Sequence, residues 1–401
     1  MKKEVKTGLF VLLIIGSIIL GLSYKNKTEV TKTKRKKHSN LAILIKEDGA
    51  TDYTKSSSKD IPIGNYELNY EKSYCKNNGV IGDYDSSVGK VSFSFIGTDS
   101  CYLYFDYESD TTFETLMTPN NTDIFEENGI RYEGVDPNNY ICLDNQKSGG
   151  CNSSLLFRII GLFDEEYSTD GTTSAGSKKL LKVIDTNNYG GTEGKYWDES
   201  CGNNWNNASL KKELNGTYLT TLTRMSNVNS ILEGAIATTK WHLGGPSDDN
   251  YATLTADGIY TEERNISAIY SDNPSSLYAK IGLMYASDYG YSTVGNSTTN
   301  RSNCRNQPLL NGESYSDCLI NGWLFSKQSN FSAEWLVTPS YSTSPAAFFT
   351  PDGYVLFRIY MEGNLCREIG KLLVRPTFYL DADMLKIAGG TGSQTDPYHI
   401  K

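Results

Sequence analysis

The sequence predicts an α+β fold with few helices and many strands, because three kinds of pattern recur along it. Runs of apolar, β-branched and aromatic residues, such as 157–164 and 179–185, have the length and composition of strands. Segments rich in Gly, Asn, Asp, Ser and Thr separate these runs, as loops do. Helical spacing is clear only near residues 207–214, where two leucines fall four residues apart and Gly216 follows as an end signal. A second helix is expected at 253–265.

Composition and charge exclude several classes of protein. The chain has 401 residues, of which 21% are charged and 38% hydrophobic, so it is neither a polytopic membrane protein nor a highly charged disordered chain. The first 50 residues hold 11 basic and 4 acidic side chains, whereas the whole chain has a formal net charge of −9. The rest of the chain therefore has a negative net charge, which argues against nucleic acid as a partner. The three histidines lie far apart, which argues against a His-rich metal centre.

The N-terminal residues 1–24 form a predicted leader. Residues 8–24 contain no charge, and a bilayer span requires about 17–25 mostly apolar residues. Gly21 and Ser23 have the spacing of small residues at a signal-peptide cleavage site, so a cleaved signal peptide stays open beside an uncleaved signal anchor. We favour the anchor, a transmembrane helix that tethers the chain to the membrane.

Two features of the chain give opposite predictions for its orientation. Seven basic residues follow the apolar run and three precede it, so the positive-inside rule alone would place the body in the cytoplasm. The body nevertheless contains all eight cysteines and is rich in Tyr, Asn, Ser, Thr and Gly, which is typical of surface domains. We therefore expect a single-pass membrane protein with an extracellular body, or a secreted protein if the leader is cleaved.

Three regions follow the leader: a basic, polar linker at 25–60, a small β module at 61–118 and a larger domain at 119–401. In the module, residues 91–95 alternate with period two and residues 101–105 form a second run after a turn-like segment, which predicts a hairpin. The larger domain contains further strand-like runs at 234–243, 280–286, 333–338, 346–359 and 372–380.

Six of the eight cysteines are close enough in sequence to form disulfides. The candidate pairs are Cys75 with Cys101, Cys142 with Cys151, and Cys304 with Cys318. The distance between the two Cα atoms decides whether such a pair can bond, and free buried thiols are the alternative. Cys201 and Cys366 remain, and they either pair with each other or stay as buried thiols.

Seven short motifs follow one another in the larger domain. They are FRIIGLFD (157–164), NNW (203–205), WHLGG (241–245), KIGLMYASDYGYS (280–292), EWLVTPS (334–340), PDGYV (351–355) and VRPTFYL (374–380). In this order they resemble a C-type-lectin-like domain of uncharacterised bacterial surface proteins, which is distantly similar to the formylglycine-generating (sulfatase-modifying) fold. The resemblance covers about residues 125–400, and it implies a fold rather than an activity.

The resemblance does not extend to the catalytic or metal sites of these families. Formylglycine-generating enzymes use two closely spaced cysteines near the C-terminus with bound copper, whereas Cys366 is the only cysteine in the last 80 residues here. Sugar-binding C-type lectins hold calcium through a proline-centred triplet, and Gln307-Pro308-Leu309 lacks its acidic or amide third member. We therefore expect neither an enzyme nor a required metal or other cofactor.

The candidate ligand surface is aromatic and polar. Tyr285, Tyr289 and Tyr291 surround Asp288, and Tyr341 follows a predicted strand. Rigid aromatic faces among small polar side chains suit the recognition of a glycan or a protein, although tyrosines that simply cover the β core are the alternative. We expect a cell-surface protein that binds a glycan or another surface protein. A degenerate formylglycine-generating-type enzyme and a structural cell-envelope protein without a specific ligand are the alternatives.

Overall fold

The computed structural model describes most of the chain from residue 40 onward. The described ranges are 40–47, 50–94, 98–107, 111–118, 121–200, 202–267, 273–295, 300–310, 318, 321–325, 333–340, 346–349, 355–356 and 370–401. The predicted membrane span lies outside these ranges. Within them, no helix combines the length and the apolar character that crossing a membrane requires. The chain divides into a smaller unit that ends at residue 108 and a larger unit that begins at residue 109.

The described part of the smaller unit consists of strands. They are β1 (Asn40–Lys46), β2 (Thr54–Lys55), β3 (Tyr66–Leu68), β4 (Tyr74–Cys75), β5 (Val80–Asp85), β6 (Lys90–Ser94) and β7 (Ser100–Tyr107). One sheet has the order β2-β1-β7-β3, with β4 also paired with β7, while β5 and β6 form a separate hairpin. Leu103 and Phe105, two residues apart on β7, are buried against Ile43 and Leu68 because alternate side chains of a strand face the same side.

The predicted linker at 25–60 contains structure that the sequence analysis missed. Strand β1 lies within it and pairs in parallel with β7 along its whole length, and β2 pairs with β1. The apolar residues 41–45 form most of β1, in which Ile43 is buried, but the polar segments on both sides of them obscured this strand in the sequence. The described sheet of the smaller unit therefore includes residues 40–46 and 54–55, which lie before the predicted start of the module at residue 61.

The described parts of the two runs 91–95 and 101–105 do not pair with each other, so the predicted hairpin is not found there. Strand β6 instead pairs with β5, which precedes it, and Gly89 lies in the connecting turn with φ 62°. Strand β7 pairs with β1, β3 and β4. A central strand finds partners that are distant in sequence, and period-two alternation alone does not identify them.

The larger unit contains the main sheet of the molecule. Its strands are β8 (Ile124–Glu126), β9 (Ile130–Tyr132), β10 (Tyr140–Cys142), β11 (Leu156–Ser168), β12 (Gly176–Asp185), β13 (Thr238–His242), β14 (Ser276–Ala279), β15 (Ile281–Gly282), β16 (Glu334–Pro339), β17 (Ala346–Phe349), β18 (Val355–Leu356), β19 (Thr377–Asp381), β20 (Ile387–Gly389) and β21 (Tyr398–Ile400). The main sheet has the order β15-β19-β12-β11-β10-β21-β20, and β9 and β13 also pair with β11. Strands β16, β17 and β18 form a separate sheet. The predicted neighbouring strands at 157–164 and 179–185 are confirmed as the antiparallel pair β11 and β12.

Within the described residues, helices are short and few, as the sequence predicts for an α+β fold. They are α1 (Phe113–Leu116), α2 (Ser209–Glu213), α3 (Leu219–Thr223), α4 (Leu232–Ala235), α5 (Ala256–Arg264), α6 (Ala286–Tyr291) and α7 (Arg301–Arg305). The predicted helix at 253–265 is α5, whose N-cap Thr255 accepts a hydrogen bond from the Gly258 N–H. The predicted helix at 207–214 does not end at Gly216, because a π-helical segment, Leu214–Tyr218, joins α2 to α3.

The three predicted disulfides are present. The Cα atoms are 4.0 Å apart in Cys75–Cys101, 5.8 Å in Cys142–Cys151 and 5.5 Å in Cys304–Cys318. Cys75–Cys101 joins β4 to β7 within the smaller unit, and the other two close loops of the larger unit. Each bond restricts the unfolded chain and stabilises the fold by about 3 kcal/mol. Cys201 and Cys366 lie outside the described residues.

Candidate functional site

The four described residues of the candidate ligand surface lie inside the larger unit, which corrects the prediction. Tyr285, Tyr289 and Tyr291 are each 1% exposed, and Asp288 is 3% exposed. Tyr285 caps α6, and the other three residues lie on this helix. Because all four side chains are buried, none of them is accessible to a glycan or a protein. Tyr341 lies outside the described residues. The described tyrosines thus belong to the core, which was the alternative interpretation.

Two cations explain why Asp288 is buried. Its Oδ1 lies 2.9 Å from Nη1 of Arg131, and its Oδ2 lies 2.5 Å from Nζ of Lys182. Burial alone would raise the pKa of Asp288, but the attraction of Lys182 and Arg131 outweighs it and lowers that pKa. Asp288 also accepts a hydrogen bond from the Tyr285 N–H at 3.0 Å, so its charge orders the start of α6.

A second buried carboxylate, Glu263, connects α5 to α6 and β16. It accepts hydrogen bonds from the Ser287 hydroxyl at 2.5 Å and from the Thr338 hydroxyl at 2.7 Å. Burial raises the pKa of Glu263, although these hydrogen bonds oppose the effect. Because Glu263 is 0% exposed, a ligand cannot reach this hydrogen-bond network. The network instead joins the three elements.

A cavity of about 230 Å³ opens where β12 ends, and we call it the Asp185 pocket. Its described lining consists of the end of β12 with the following loop, the π-helical segment with α3, and two further side chains. The residues are Asp185, Asn187, Asn188, Tyr189, Gly190, Tyr218, Thr221, Leu222, Ser154 and Met225. The pocket thus combines one carboxylate, two phenol rings, and small polar and apolar side chains, which is the usual composition of a small-molecule site.

Asp185 is the charged group of this pocket and is only 7% exposed. Its Oδ1 accepts a hydrogen bond from the Asn187 N–H at 2.8 Å, and its Oδ2 accepts one from the Tyr218 hydroxyl at 2.8 Å. Burial raises the pKa of Asp185 to about 6, although these hydrogen bonds act in the opposite direction. A carboxyl group with a perturbed pKa inside a cavity is a common mark of a functional site.

The two tyrosines give the pocket rigid aromatic walls. The rings of Tyr189 and Tyr218 lie 5.4 Å apart between centroids and 77° apart in plane. The Tyr189 hydroxyl donates a hydrogen bond to Glu213 at 2.8 Å, and Lys195 binds the same carboxylate at 2.6 Å. Burial, together with this hydrogen bond, raises the pKa of Tyr189 to about 12, so its ring stays uncharged.

Local backbone conformation places these rings. Gly190 and Gly191 have φ of 87° and 63°, which glycine adopts without strain, and they turn the chain immediately after Tyr189. The Tyr189 N–H donates to the Val374 carbonyl at 2.7 Å, which fixes the loop to the segment before β19. Tyr218 ends the π-helical segment, whose extra residue per turn changes the direction of the side chains that follow it.

A second cavity of about 250 Å³ has a different chemistry. Its lining includes Asp164, Glu165 and Lys179. These charges are already paired, because Lys179 lies 3.7 Å from Asp164 and Arg264 lies 3.0 Å from Glu165. Glu126 also lines this cavity.

One group in the described residues has the composition of a metal site. The ligand atoms of Cys142, Asp144 and Cys151 lie within 4.8 Å of one another. The two sulfur atoms are bonded to each other, however, so neither is a thiolate that can bind a metal ion in this form. We therefore assign this group to the disulfide loop.

Asp185, Tyr189 and Tyr218 are not among the site residues predicted from the sequence. One signal was present, because the buried strand at 179–185 is followed directly by the polar and Gly-rich segment 186–191. Loops at strand ends often hold binding residues. Tyr218 gave no signal, since it joins the pocket only through the π-helical segment.

Comparison of the chain with protein-family models, curated proteins and solved structures found no match.

Proposed function

We propose that the chain is a membrane-tethered bacterial cell-surface protein that binds a glycan through its larger unit, a C-type-lectin-like domain. The ligand-binding site is the Asp185 pocket. The observation that supports this proposal most strongly is the pairing of the Tyr189 and Tyr218 rings with a buried carboxylate in one cavity. Aromatic faces pack against the apolar side of a sugar, while carboxylate and amide groups bind its hydroxyls.

The size of the pocket favours a glycan over a protein as the ligand. A volume of about 230 Å³ is below the range of about 300–1,000 Å³ that drug-sized ligands occupy. It therefore suits one terminal sugar unit rather than a folded surface, which needs a broad and flat contact.

The disulfides support an extracellular location. Disulfides persist in oxidising compartments and are rare in the cytosol, and three are present in the described residues. The charge-free run at residues 8–24 supplies the export signal and the tether in this proposal.

The arrangement of the motifs supports the proposed domain type. FRIIGLFD lies in β11, EWLVTPS covers β16 and VRPTFYL runs into β19, so three of the motifs correspond to strands of the larger unit. The mixture of a large sheet with short helices is the mixture that the resemblance implies.

A steric block tests the proposal. Thr221 lines the pocket and is exposed, so Thr221→Trp should fill the cavity without disturbing the core. Thr220 is its exposed neighbour on α3 and is not part of the described lining, so Thr220→Trp is the matched control. The full chain in detergent micelles and both variants are applied to a glycan array.

We expect the wild-type chain to bind a related set of glycans, Thr221→Trp to lose them and Thr220→Trp to keep them. An array on which the wild-type chain binds nothing contradicts the proposed function. Equal binding by both variants contradicts the assignment of the pocket.

A further inference from the structure

No cation among the described lining residues of the Asp185 pocket balances its charge. Asp185 is the only carboxylic acid among these residues, and none of them is a Lys or an Arg. The hydrogen-bond donors to Asp185 are neutral, because they are the Asn187 amide groups and the Tyr218 hydroxyl. A buried carboxylate without a cation beside it is costly, and an incoming cation would remove that cost.

Charged groups near the pocket are already paired with other residues. Arg375 influences Asp185, but its Nε lies 2.9 Å from both carboxylate oxygens of Glu334, and its Nη2 donates to the Leu324 carbonyl. Behind Tyr189, Glu213 is paired with Lys195. These two ion pairs leave Asp185 as the acid that faces the cavity.

The walls of the pocket also suit a cation. The rings of Tyr189 and Tyr218 meet at 77°, and their hydroxyls are occupied by Glu213 and Asp185. Aromatic rings attract an ammonium group through the negative potential above the ring, and Nζ of Lys195 already lies 5.0 Å from the centroid of the Tyr189 ring. The carboxylate and the two rings therefore favour the same kind of ligand.

We propose that the ligand of the Asp185 pocket is an amino sugar whose primary ammonium group binds the Asp185 carboxylate. This inference rests on the proposed function and adds the chemical class of the ligand. The ammonium replaces the missing cation, and the sugar ring packs between the tyrosine rings and the apolar side chains of Leu222 and Met225. An N-acetylated or neutral sugar lacks the charge and binds less tightly.

This arrangement makes ligand binding dependent on pH. Burial raises the pKa of Asp185 to about 6, and a bound ammonium group favours its ionised form. The two tyrosines that face Asp185 do not titrate in this range, because burial raises the pKa values of Tyr189 and Tyr218 above 10. The affinity for the cation therefore rises with pH through about 6, as the carboxyl proton is lost.

Titration calorimetry tests the inference with the full chain in detergent micelles. The probes are glucosamine, 6-amino-6-deoxyglucose and glucose, each measured at about pH 5 and about pH 7. We expect at least one amino sugar to bind roughly tenfold more tightly than glucose at the higher pH. We also expect its affinity to fall about tenfold at the lower pH, while the affinity for glucose stays constant.

Two variants and a proton count complete the experiment. Asp185→Asn should remove both the preference for the amino sugar and its pH dependence, whereas Asp164→Asn in the second cavity should change neither. Calorimetry in buffers of different ionisation enthalpy should show about half a proton released per ligand at about pH 6. This count needs no variant, so it stays decisive if Asp185→Asn fails to fold.

Equal affinities for glucose and the amino sugars, or no binding of either amino sugar, would overturn the inference. The proposed function would still stand if the glycan array shows neutral ligands that Thr221→Trp loses. If the wild-type chain bound no glycan on the array, the proposed function itself would be contradicted. The two failures are therefore distinguishable.

Discussion

At the scale of single residues, ionised Asp185 should lower the stability of the fold. Its pKa is raised by burial from 3.8 to about 6, so the folded chain holds this proton more tightly than the unfolded chain. Stability is therefore lost as pH rises from about 4 to about 6, by on the order of 2–3 kcal/mol. Binding sites commonly hold such unfavourable groups because function needs them.

Asp185→Asn should therefore stabilise the protein at neutral pH. We expect the melting temperature of the larger unit to rise by roughly 3–6 °C at about pH 7 and to be unchanged at about pH 4, where the wild-type carboxyl is protonated. The Tyr218 hydroxyl then accepts from the new amide instead of donating to a carboxylate oxygen. Calorimetric melting at both pH values checks this, and a rise of the same size at both would contradict it.

Asp288 should have the opposite effect, because its charge is fully paired. Asp288→Ala leaves the buried cations Arg131 and Lys182 without their partner. We expect a loss of about 3–5 kcal/mol in the free energy of unfolding, measured by urea titration with tryptophan fluorescence. Asp164→Ala removes an exposed carboxylate and should change this energy by less than about 0.5 kcal/mol. If Asp288→Ala lowered the free energy of unfolding as little as Asp164→Ala does, the ion pairs of Asp288 would add no stability.

Sequence patterns identified the tyrosines of residues 285–291 but not their burial. A tyrosine beside Asp and Gly has the same composition on a surface and in a polar core. The segment at 285–291 can be buried because Arg131 and Lys182 neutralise Asp288. Both cations lie more than 100 positions away from Asp288 in the sequence. Contacts at that separation leave no local signal. By contrast, all three cysteine pairs were predictable because their partners lie at most 26 positions apart.

At the scale of elements, the π-helical segment between α2 and α3 should be held in place by Asn215. Its Nδ2 donates to the Lys211 carbonyl at 3.0 Å and to the Ile281 carbonyl at 2.8 Å. Its Oδ1 accepts from the Lys280 and Ile281 N–H groups. The side chain therefore connects the segment to β15 and fixes the position of Tyr218.

Asn215→Ala should cost about 2–3 kcal/mol in the free energy of unfolding, because four hydrogen bonds are lost and buried partners stay unpaired. It should also weaken ligand binding, since Tyr218 loses its fixed position. Thr220→Ala on the exposed face of α3 is the control and should be neutral or slightly stabilising. Chemical unfolding and calorimetry measure both effects, and an unchanged affinity would separate Asn215 from the site.

Strand pairing was predictable only where partners are neighbours in sequence. The β11 and β12 runs are strongly apolar and joined by a short Gly- and Thr-rich loop, so their pairing followed from the sequence. The parallel pairing of β1 with β7 joins residues 60 positions apart, and no turn signal connects them. The Asp185 pocket could not be predicted for the same reason. Its lining comes from the end of β12, the segment at 218–225 and Ser154, which are far apart in the sequence.

At the scale of the whole molecule, the disulfides and the leader each predict a result. We expect peptide mapping without reductant to recover linked peptides for Cys75–Cys101, Cys142–Cys151 and Cys304–Cys318. We also expect a membrane-impermeant amine reagent to label the body of the protein on intact cells. Reduced cysteines together with a protected body would place the chain in a reducing compartment and contradict the proposed location.

The most direct test of the binding site is hydrogen exchange of the full chain, followed by mass spectrometry, with and without the strongest glycan from the array. We predict slower exchange in segments 187–190 and 218–225, which contain most of the described lining residues of the Asp185 pocket. Slower exchange at residues 126–130 and 162–165, around the second cavity, with none at the first two segments, would contradict the assignment.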